Sequence, residues 1–396
     1  AKSMLSSWRN LRLPRKELFD MQNRRLKAIM EQAYYHVPFY RRLFNEKGLK
    51  PDDVKTVDDL RLFPVVRKQM LQEVSEKDIL ANNLGRAEVL VHRTSGSTGI
   101  PLTLFYRRED AIRLSSIALR YYIVNGLTPL DVTARIIQPY DFAKKSLLST
   151  VFFRKYDFSV LQSMPEIVKA LDQIRPNAVE SYATTLRILV QALEESDIHI
   201  SPKLVISEAE VLDPATRDYV SNFLEVSPID TYGSHETFNI AWECNEHVGY
   251  HINMDSVIVE FLKNGEPVAE GERGRVIVTN LHSFAMPIIR YELGDIATPT
   301  SETCPCGIGL PLLKNIEGKA MDFILLPEKR LVDPHALKRP FTLRPEIRMF
   351  KVKQISPEKI LVRLVKGKGY TENSEFGLLS DLKRVVGDQV YIDLEY

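Results

Sequence analysis

From Glu88 to Tyr232 the chain alternates short apolar, β-branched runs with longer amphipathic stretches, and this rhythm constrains the fold more than any other feature. "EVLVHR" reads as a strand, "EDAIRLSSIALRYYIVNG" as a helix ending at Gly126, and "ARIIQ" as a buried strand. In "SMPEIVKALDQIR", Ser163 stands at a capping position, Pro165 sits early, and Glu166 completes a capping box. "AVESY", a helix from Thr184 to about Ser196, "KLVIS", a helix opened by Asp213-Pro214, and "SPIDTY" continue the alternation. Such a pattern predicts a parallel sheet covered by helices, an α/β fold.

Two flanking regions differ. Residues 1–85 read as mostly helical and basic-amphipathic, with Pro38 breaking the pattern in "YYHVPFYRRLF". After about Asp255 come strands with tight turns, including Asn264-Gly265 at a hairpin tip. The last stretch, from Met349 to Tyr396, reads strand, strand, helix, strand: a small α+β unit.

The chain has 396 residues, enough for two or three domains, with 44% hydrophobic and 27% charged residues. Lys and Arg total 53 against 52 Asp and Glu, a net charge of +1, which gives no electrostatic case for nucleic acid or an anionic membrane as main partner. No apolar run reaches membrane-spanning length, and the first residues lack the apolar core of a signal peptide, so a cytoplasmic location is expected. Three cysteines do not make a disulfide framework.

Three segments could carry chemistry. "TSGSTG", residues 94–99, places three hydroxyl side chains and two glycines between strands. Glycines let amides approach an anion closely, and hydroxyls add donors for phosphate. The Gly-Lys-Ser/Thr ending of a P-loop is missing, so phosphate binding and a bland turn weigh equally. In "DTYGSHETF", an aromatic followed by Gly can present a flat face to a base, and Glu236 can hold a hard cation such as magnesium. In "RYELGDIA", Asp295 can accept both hydroxyls of a ribose. Taken singly, the last two read more readily as turn residues.

In this order and at these separations, the segments resemble the adenylate-forming ligases, a superfamily of acyl-CoA synthetases, adenylation domains and luciferases. "TSGSTGIP" is similar to their phosphate loop, "YGSHE" to their adenine-and-magnesium motif, and "YELGD" to their ribose-binding aspartate. "HVPFYRRLF", "RYELGDIA" and "CPCG" resemble the phenylacetate–CoA ligases and the related capsular polysaccharide ligases, over nearly the whole chain. The resemblance implies a large N-terminal α/β domain over residues 1–318, with 1–85 as helical lead-in, and a small α+β lid over 319–396. The hinge falls near "EGKAMD", similar to a Gly-Arg-x-x-Asp junction with Lys319 in place of the arginine and Asp322 kept.

It further implies ATP-dependent activation of a carboxylate by adenylation, then transfer of the acyl group to CoA. Ser95, Gly96, Ser97, Thr98 and Gly99 would embrace the phosphates of ATP, with Thr98 and Glu236 catalytic and Glu236 holding magnesium. Tyr232 and Gly233 would face adenine, Asp295 the ribose, Glu210 would lie beside the adenine, and Lys319 would join the nucleotide site. Tyr140, Tyr182 and Phe238 would line the acyl pocket, suggesting an aromatic or apolar acid. The expected ligands are a small carboxylic acid, ATP, magnesium and CoA, and a homodimer is a possible assembly.

Two departures stand out. Leu102 occupies a place where many superfamily members carry lysine, and the sequence stops at "VYIDLEY", about where a Gly-Lys loop is expected. An adenylating lysine is therefore not assigned. An amide ligase or adenylyltransferase with a non-CoA acceptor remains an alternative, as does a nucleotide-binding protein without turnover if that loop is absent.

All three cysteines fall in two short segments, "WECNEHVGYHI" and "CPCG", each next to one of the motifs. Cys244, Cys304 and Cys306 with His251 make a closed zinc set of the structural type; the alternative is buried free thiols. His247 is the rival imidazole, and His251 is preferred because the related ligases place histidine just after a Gly-x pair.

Overall fold

The computed structural model describes residues 2–93, 102–137, 153–319, 324–327, 331–332, 334–344 and 346–396. The phosphate-loop residues Ser95, Gly96, Ser97, Thr98 and Gly99, together with Tyr140 and Asp322, lie outside the described residues.

One sheet organises the molecule. Five parallel strands stand side by side in the order Ile229–Ser234, Leu204–Glu208, Ala178–Ser181, Val132–Ile137 and Arg154–Ser159. The edge strand Arg154–Ser159 carries no clear sequence signal. Beyond Ile229–Ser234 the sheet continues through antiparallel strands, beginning with Phe238–Glu243 and Tyr250–Ile252 and including Leu312–Lys319 and Tyr291–Pro299. The parallel and antiparallel regions of the sequence therefore share one surface instead of forming separate layers. "EVLVHR" forms Val89–Arg93, but it pairs only with Thr103–Arg107, as an antiparallel ribbon outside the large sheet.

The helices Met164–Ile174, Ala183–Glu194 and Pro214–Leu224 cover one face of the parallel strands, burying Val179 and Val205 against Leu171, Leu189 and Val220. The helix Arg108–Val124 covers the other, where Tyr121 and Tyr122 meet Ala178, Leu204 and Ile206. On that side Arg120 and Asp255 form a fully buried ion pair, Nη1–Oδ1 2.7 Å and Nη2–Oδ2 2.5 Å. The guanidinium, with Asn10 donating at 2.6 Å, more than offsets the desolvation of Asp255 and holds its carboxyl at about 2.

Local chemistry explains the boundaries. Val37 is extended before Pro38, so the helix Arg15–His36 ends there and Pro38 opens the next helix. Asp213 caps Pro214–Leu224, accepting from Thr216 N at 3.0 Å. Ser163 behaves differently: it is the N-cap of Met164–Ile174 but its hydroxyl makes no capping bond. The amide of Glu166 reaches the Ser163 carbonyl instead, at 3.1 Å, so the expected capping box does not form. The Asn264-Gly265 tip has both residues at positive φ, 55° and 91°, as a two-residue hairpin requires.

The C-terminal unit has its own core, in which Ile360, Val362, Leu378 and Leu382 are fully buried. Its three strands, Ile347–Ser356, Lys359–Lys366 and Tyr391–Glu395, carry the helix Glu372–Val386 between the second and third. Lys338 reaches across to Asp213 at 3.1 Å, joining this unit to the helix cap of the larger part. No helix among the described residues is long and apolar enough to cross a membrane.

Candidate active site

The site forms where the last parallel strand turns into its antiparallel neighbour. Ile229–Ser234 ends in "YGS" and returns at once as Phe238–Glu243. A Cβ on Gly233 would stand 2.4 Å from the Phe238 carbonyl oxygen, so this close return admits only glycine. Phe238 takes a positive φ of 61°, and its half-buried ring meets the Tyr106 ring edge-on at 5.2 Å.

Three of the expected residues come together here. Tyr232 is buried, and its hydroxyl donates to Asp295 Oδ2 at 2.8 Å from the strand Tyr291–Pro299. Asp295 in turn lies opposite Lys319 in the strand register. Glu236 is 8% exposed; its Oε1 accepts from the Tyr291 hydroxyl at 3.1 Å, and its backbone carbonyl accepts from Asn280 Nδ2 at 3.1 Å.

The sequence reading missed a histidine pair in the same place. His92, two residues before Thr94, lies 3.0 Å from His235, Nε2 to Nδ1. One proton must sit between these nitrogens for the contact to be a hydrogen bond. Burial, then the neighbouring His235, pushes His92 down to about 4; burial also lowers His235, against the pull of Glu236. A neutral pair thus ties the end of the strand Val89–Arg93 to the turn that carries Glu236. Tyr106 adds a second tie, its hydroxyl donating to the His235 carbonyl.

Glu210 follows the strand Leu204–Glu208. It is exposed and accepts from Thr184 N at 2.8 Å and Thr184 Oγ1 at 2.6 Å, capping the helix Ala183–Glu194 from outside the helix. Tyr182 is half-buried at the N-cap of the same helix.

Beside it stands a group of polar side chains; Tyr140 lies outside the described residues. Glu180 is buried and accepts from both Tyr121, at 3.2 Å, and Tyr122. Lys155 Nζ donates to Tyr122 at 2.8 Å, and Arg135 pairs with Asp157 at 2.7 Å. Burial, then the Glu180 charge, pushes Glu208 up to about 8, so its carboxyl keeps its proton at neutral pH. The chain goes from Val132–Ile137 out to the edge strand and back to Ala178–Ser181 on the other side. These groups therefore gather at a topological switch point near the carboxyl ends of the strands, where open α/β sheets bind ligands. Alternation in "AVESY" gave no sign that Glu180 points inward, because a strand buried on both faces hides its periodicity.

The cysteines and one histidine form a compact group. Cys244 and Cys304 Sγ atoms are 3.5 Å apart, and His251 Nε2 lies 3.4 Å from both Cys244 and Cys306 Sγ. All four ligand atoms fall within 4.8 Å of one another. A tetrahedron with Zn–S about 2.3 Å and Zn–N about 2.0 Å has edges of roughly 3.5–3.8 Å, so the residues fit zinc. Burial lowers His251 to about 4, partly opposed by the Leu310 backbone, which keeps the imidazole neutral as a ligand must be. His247 is engaged elsewhere, its Nδ1 lying 3.0 Å from Arg217 and 3.5 Å from Glu243.

No family model matches the chain. It is 29% identical over 327 residues to a phenylacetate–coenzyme A ligase of Thermus thermophilus, covering 79% of this chain and 73% of that protein. It is 27% identical over 323 residues to that of Escherichia coli, covering 78% and 73%. Among solved structures, 2-hydroxyisobutyryl-CoA ligase in its postadenylation state superposes with a TM-score of 0.82, at 20% identity, over 98% of this chain and 87% of that one. The chain is a homologue of the phenylacetate–coenzyme A ligases and has the fold of the adenylate-forming CoA ligases.

Proposed function

We propose that the protein is an AMP-forming acid–thiol ligase. A carboxylate oxygen attacks the α-phosphorus of ATP, the bond to the β-phosphate breaks, and pyrophosphate leaves. The CoA sulfur then attacks the acyl carbon, losing its proton, and AMP leaves. The observation that carries this reading is the convergence of Tyr232, Glu236 and Asp295, with His92 held against His235 beside Glu236.

In this reading Asp295 receives the ribose hydroxyls, while Tyr232 holds that carboxylate in place and lies against the base with Gly233. Glu236 supplies the carboxylate for magnesium, which would offset charge on the phosphates as they transfer. Ser95–Gly99 would donate amides and hydroxyls to the same phosphates, with Thr98 nearest the reacting group. Residues 1–318 would form the larger domain and 319–396 the lid, with Lys319 at the hinge. Glu210 acts here as a helix cap, and its place beside the adenine is the weaker part of the assignment.

The acyl group would lie toward Tyr182 and Phe238, near Glu180 and Glu208. A Glu208 carboxyl that keeps its proton can donate as well as accept, which favours an acid with a hydrogen-bonding substituent over a plain hydrocarbon chain. Zinc, if held by Cys244, His251, Cys304 and Cys306, has no open position and would brace the turn after the adenine strand.

The test is pyrophosphate release across a panel of hydroxy, aryl and fatty acids, with mass spectrometry of the products. Pyrophosphate with an acyl-CoA product supports the reading. ADP without pyrophosphate overturns it, and an amide or adenylylated product would replace CoA as the acceptor.

A further inference from the structure

A cavity of about 350 Å³ opens between the helix Arg15–His36, the start of the helix Arg108–Val124, and the loop after the strand Gly274–Asn280. None of the described nucleotide-site residues lines it. Its charge is unusual for a chain with a net charge of only +1. Arg24, Arg25, Arg107 and Arg113 line it against Glu109 and Asp110, so four guanidinium groups meet two carboxylates, a local excess of +2.

Two of the arginines are committed. Arg107 forks onto Asp110, both contacts at 2.8 Å, and Arg25 donates to the Asp255 carbonyl. Arg24 and Arg113 are exposed and make no ion pair with any described residue. Each offers five N–H donors in a planar fork, the geometry that grips phosphate.

Two further residues mark a ligand site. His282 is 3% exposed and lines the cavity, yet its Nε2 has no hydrogen-bond partner among the described residues. An orphaned buried polar atom carries a cost that a bound ligand or water removes. Burial, then Arg25 and Arg113, push its pKa down to about 3, which reports the positive field at the ring. Phe284 supplies a flat wall, with the Arg107 guanidinium 4.7 Å over its ring. The volume lies within the range of small-molecule sites.

We infer that this cavity binds a phosphate monoester dianion, whose charge of −2 matches the excess of +2. The ligand could reach it from two sources: the ribose phosphate of CoA, or a free phosphate compound acting as an effector. The CoA source rests on the function proposed above; the pocket does not. It stands close enough for a molecule spanning both sites. Asn280, whose amide bonds the Glu236 carbonyl, also accepts from the His282 amide at 2.9 Å, and two residues of extended chain cover about 7 Å.

The experiment is calorimetric titration of the full chain with CoA, dephospho-CoA and inorganic phosphate, repeated on Arg113→Glu and Arg24→Gln. Thermal unfolding checks that each variant is folded. The expected result is a loss of affinity of roughly tenfold or more in each variant, the worth of a charge-assisted contact. A preference for CoA over dephospho-CoA that disappears in Arg113→Glu supports the inference and assigns it to CoA. Phosphate binding weakened by both variants, without that preference, supports it and assigns it to a free effector. Folded variants that bind all three probes as tightly as the unmodified chain overturn it, as does an unmodified chain that binds none of them. Pyrophosphate release in the same samples reports on adenylation alone, so a failure of the proposed function is read separately.

Discussion

Tyr232 and Asp295 are 63 positions apart, yet the phenol hydroxyl donates to the carboxylate at 2.8 Å within a buried part of the sheet. The contact fixes where one carboxylate oxygen points. Tyr232→Phe should raise the ATP dissociation constant roughly tenfold, as expected for a hydrogen bond to a charged group, with a smaller loss of turnover. Asp295→Ala should weaken ATP binding further, because the ribose then loses its acceptor. Nucleotide titration of both variants checks this, and an unchanged affinity in Asp295→Ala would sink the ribose assignment.

In the proposed function Glu236 would hold the magnesium that offsets charge developing during adenylyl transfer. Glu236→Gln should lower kcat by roughly 10²–10³-fold, comparable to losing one preorganised electrostatic contact, with a lesser effect on the KM for ATP. Tyr291→Phe removes only the hydroxyl that steadies Oε1 and should cost less. Steady-state kinetics at varied magnesium measures both. A Glu236→Gln enzyme with normal kcat would refute the role.

The Cys244–His251–Cys304–Cys306 group should carry one zinc per chain, and chelation should lower the unfolding temperature by several degrees before it alters chemistry. Cys306→Ser should reduce both metal content and stability. Elemental analysis together with thiol titration of the native protein decides; no stoichiometric metal and three freely reactive thiols would overturn it.

The raised pKa of Glu208 gives stability a pH slope. Glu208 keeps its proton up to about 8 in the folded chain, against 4.5 in the unfolded reference. The native state therefore binds more protons across that window, and stability falls as pH rises through it. Glu208→Gln should remove this component of the slope and gain stability relative to the unmodified chain at pH 8. Urea denaturation at pH 5 and pH 8 measures it; parallel pH dependence in both proteins would show that the proton is not held there.

Between Glu88 and Tyr232 the order of strands and helices, apart from the strands Thr103–Arg107 and Arg154–Ser159, was legible in the sequence because period and cap chemistry are local. Asp213-Pro214 opens a helix and Asn264-Gly265 turns a hairpin, each within a few residues of its cause. The glycines and acidic residues of the nucleotide motifs were visible for the same reason. Ser163 shows the limit even of local signals, since a backbone amide turn displaced the hydroxyl cap that its neighbours announced. What only the tertiary structure decided is which distant segments meet. The fusion of the parallel and antiparallel strands into one sheet is such a meeting, and so are the His92–His235 contact and the role of Glu210 as another helix's cap. The arginine-lined cavity is a third kind of case, drawing on residues near positions 24, 113 and 282. None of these is written in a local pattern, because each depends on how covered faces of the whole sheet are satisfied at once. A residue's period tells which side it faces; only the packed fold tells what faces it.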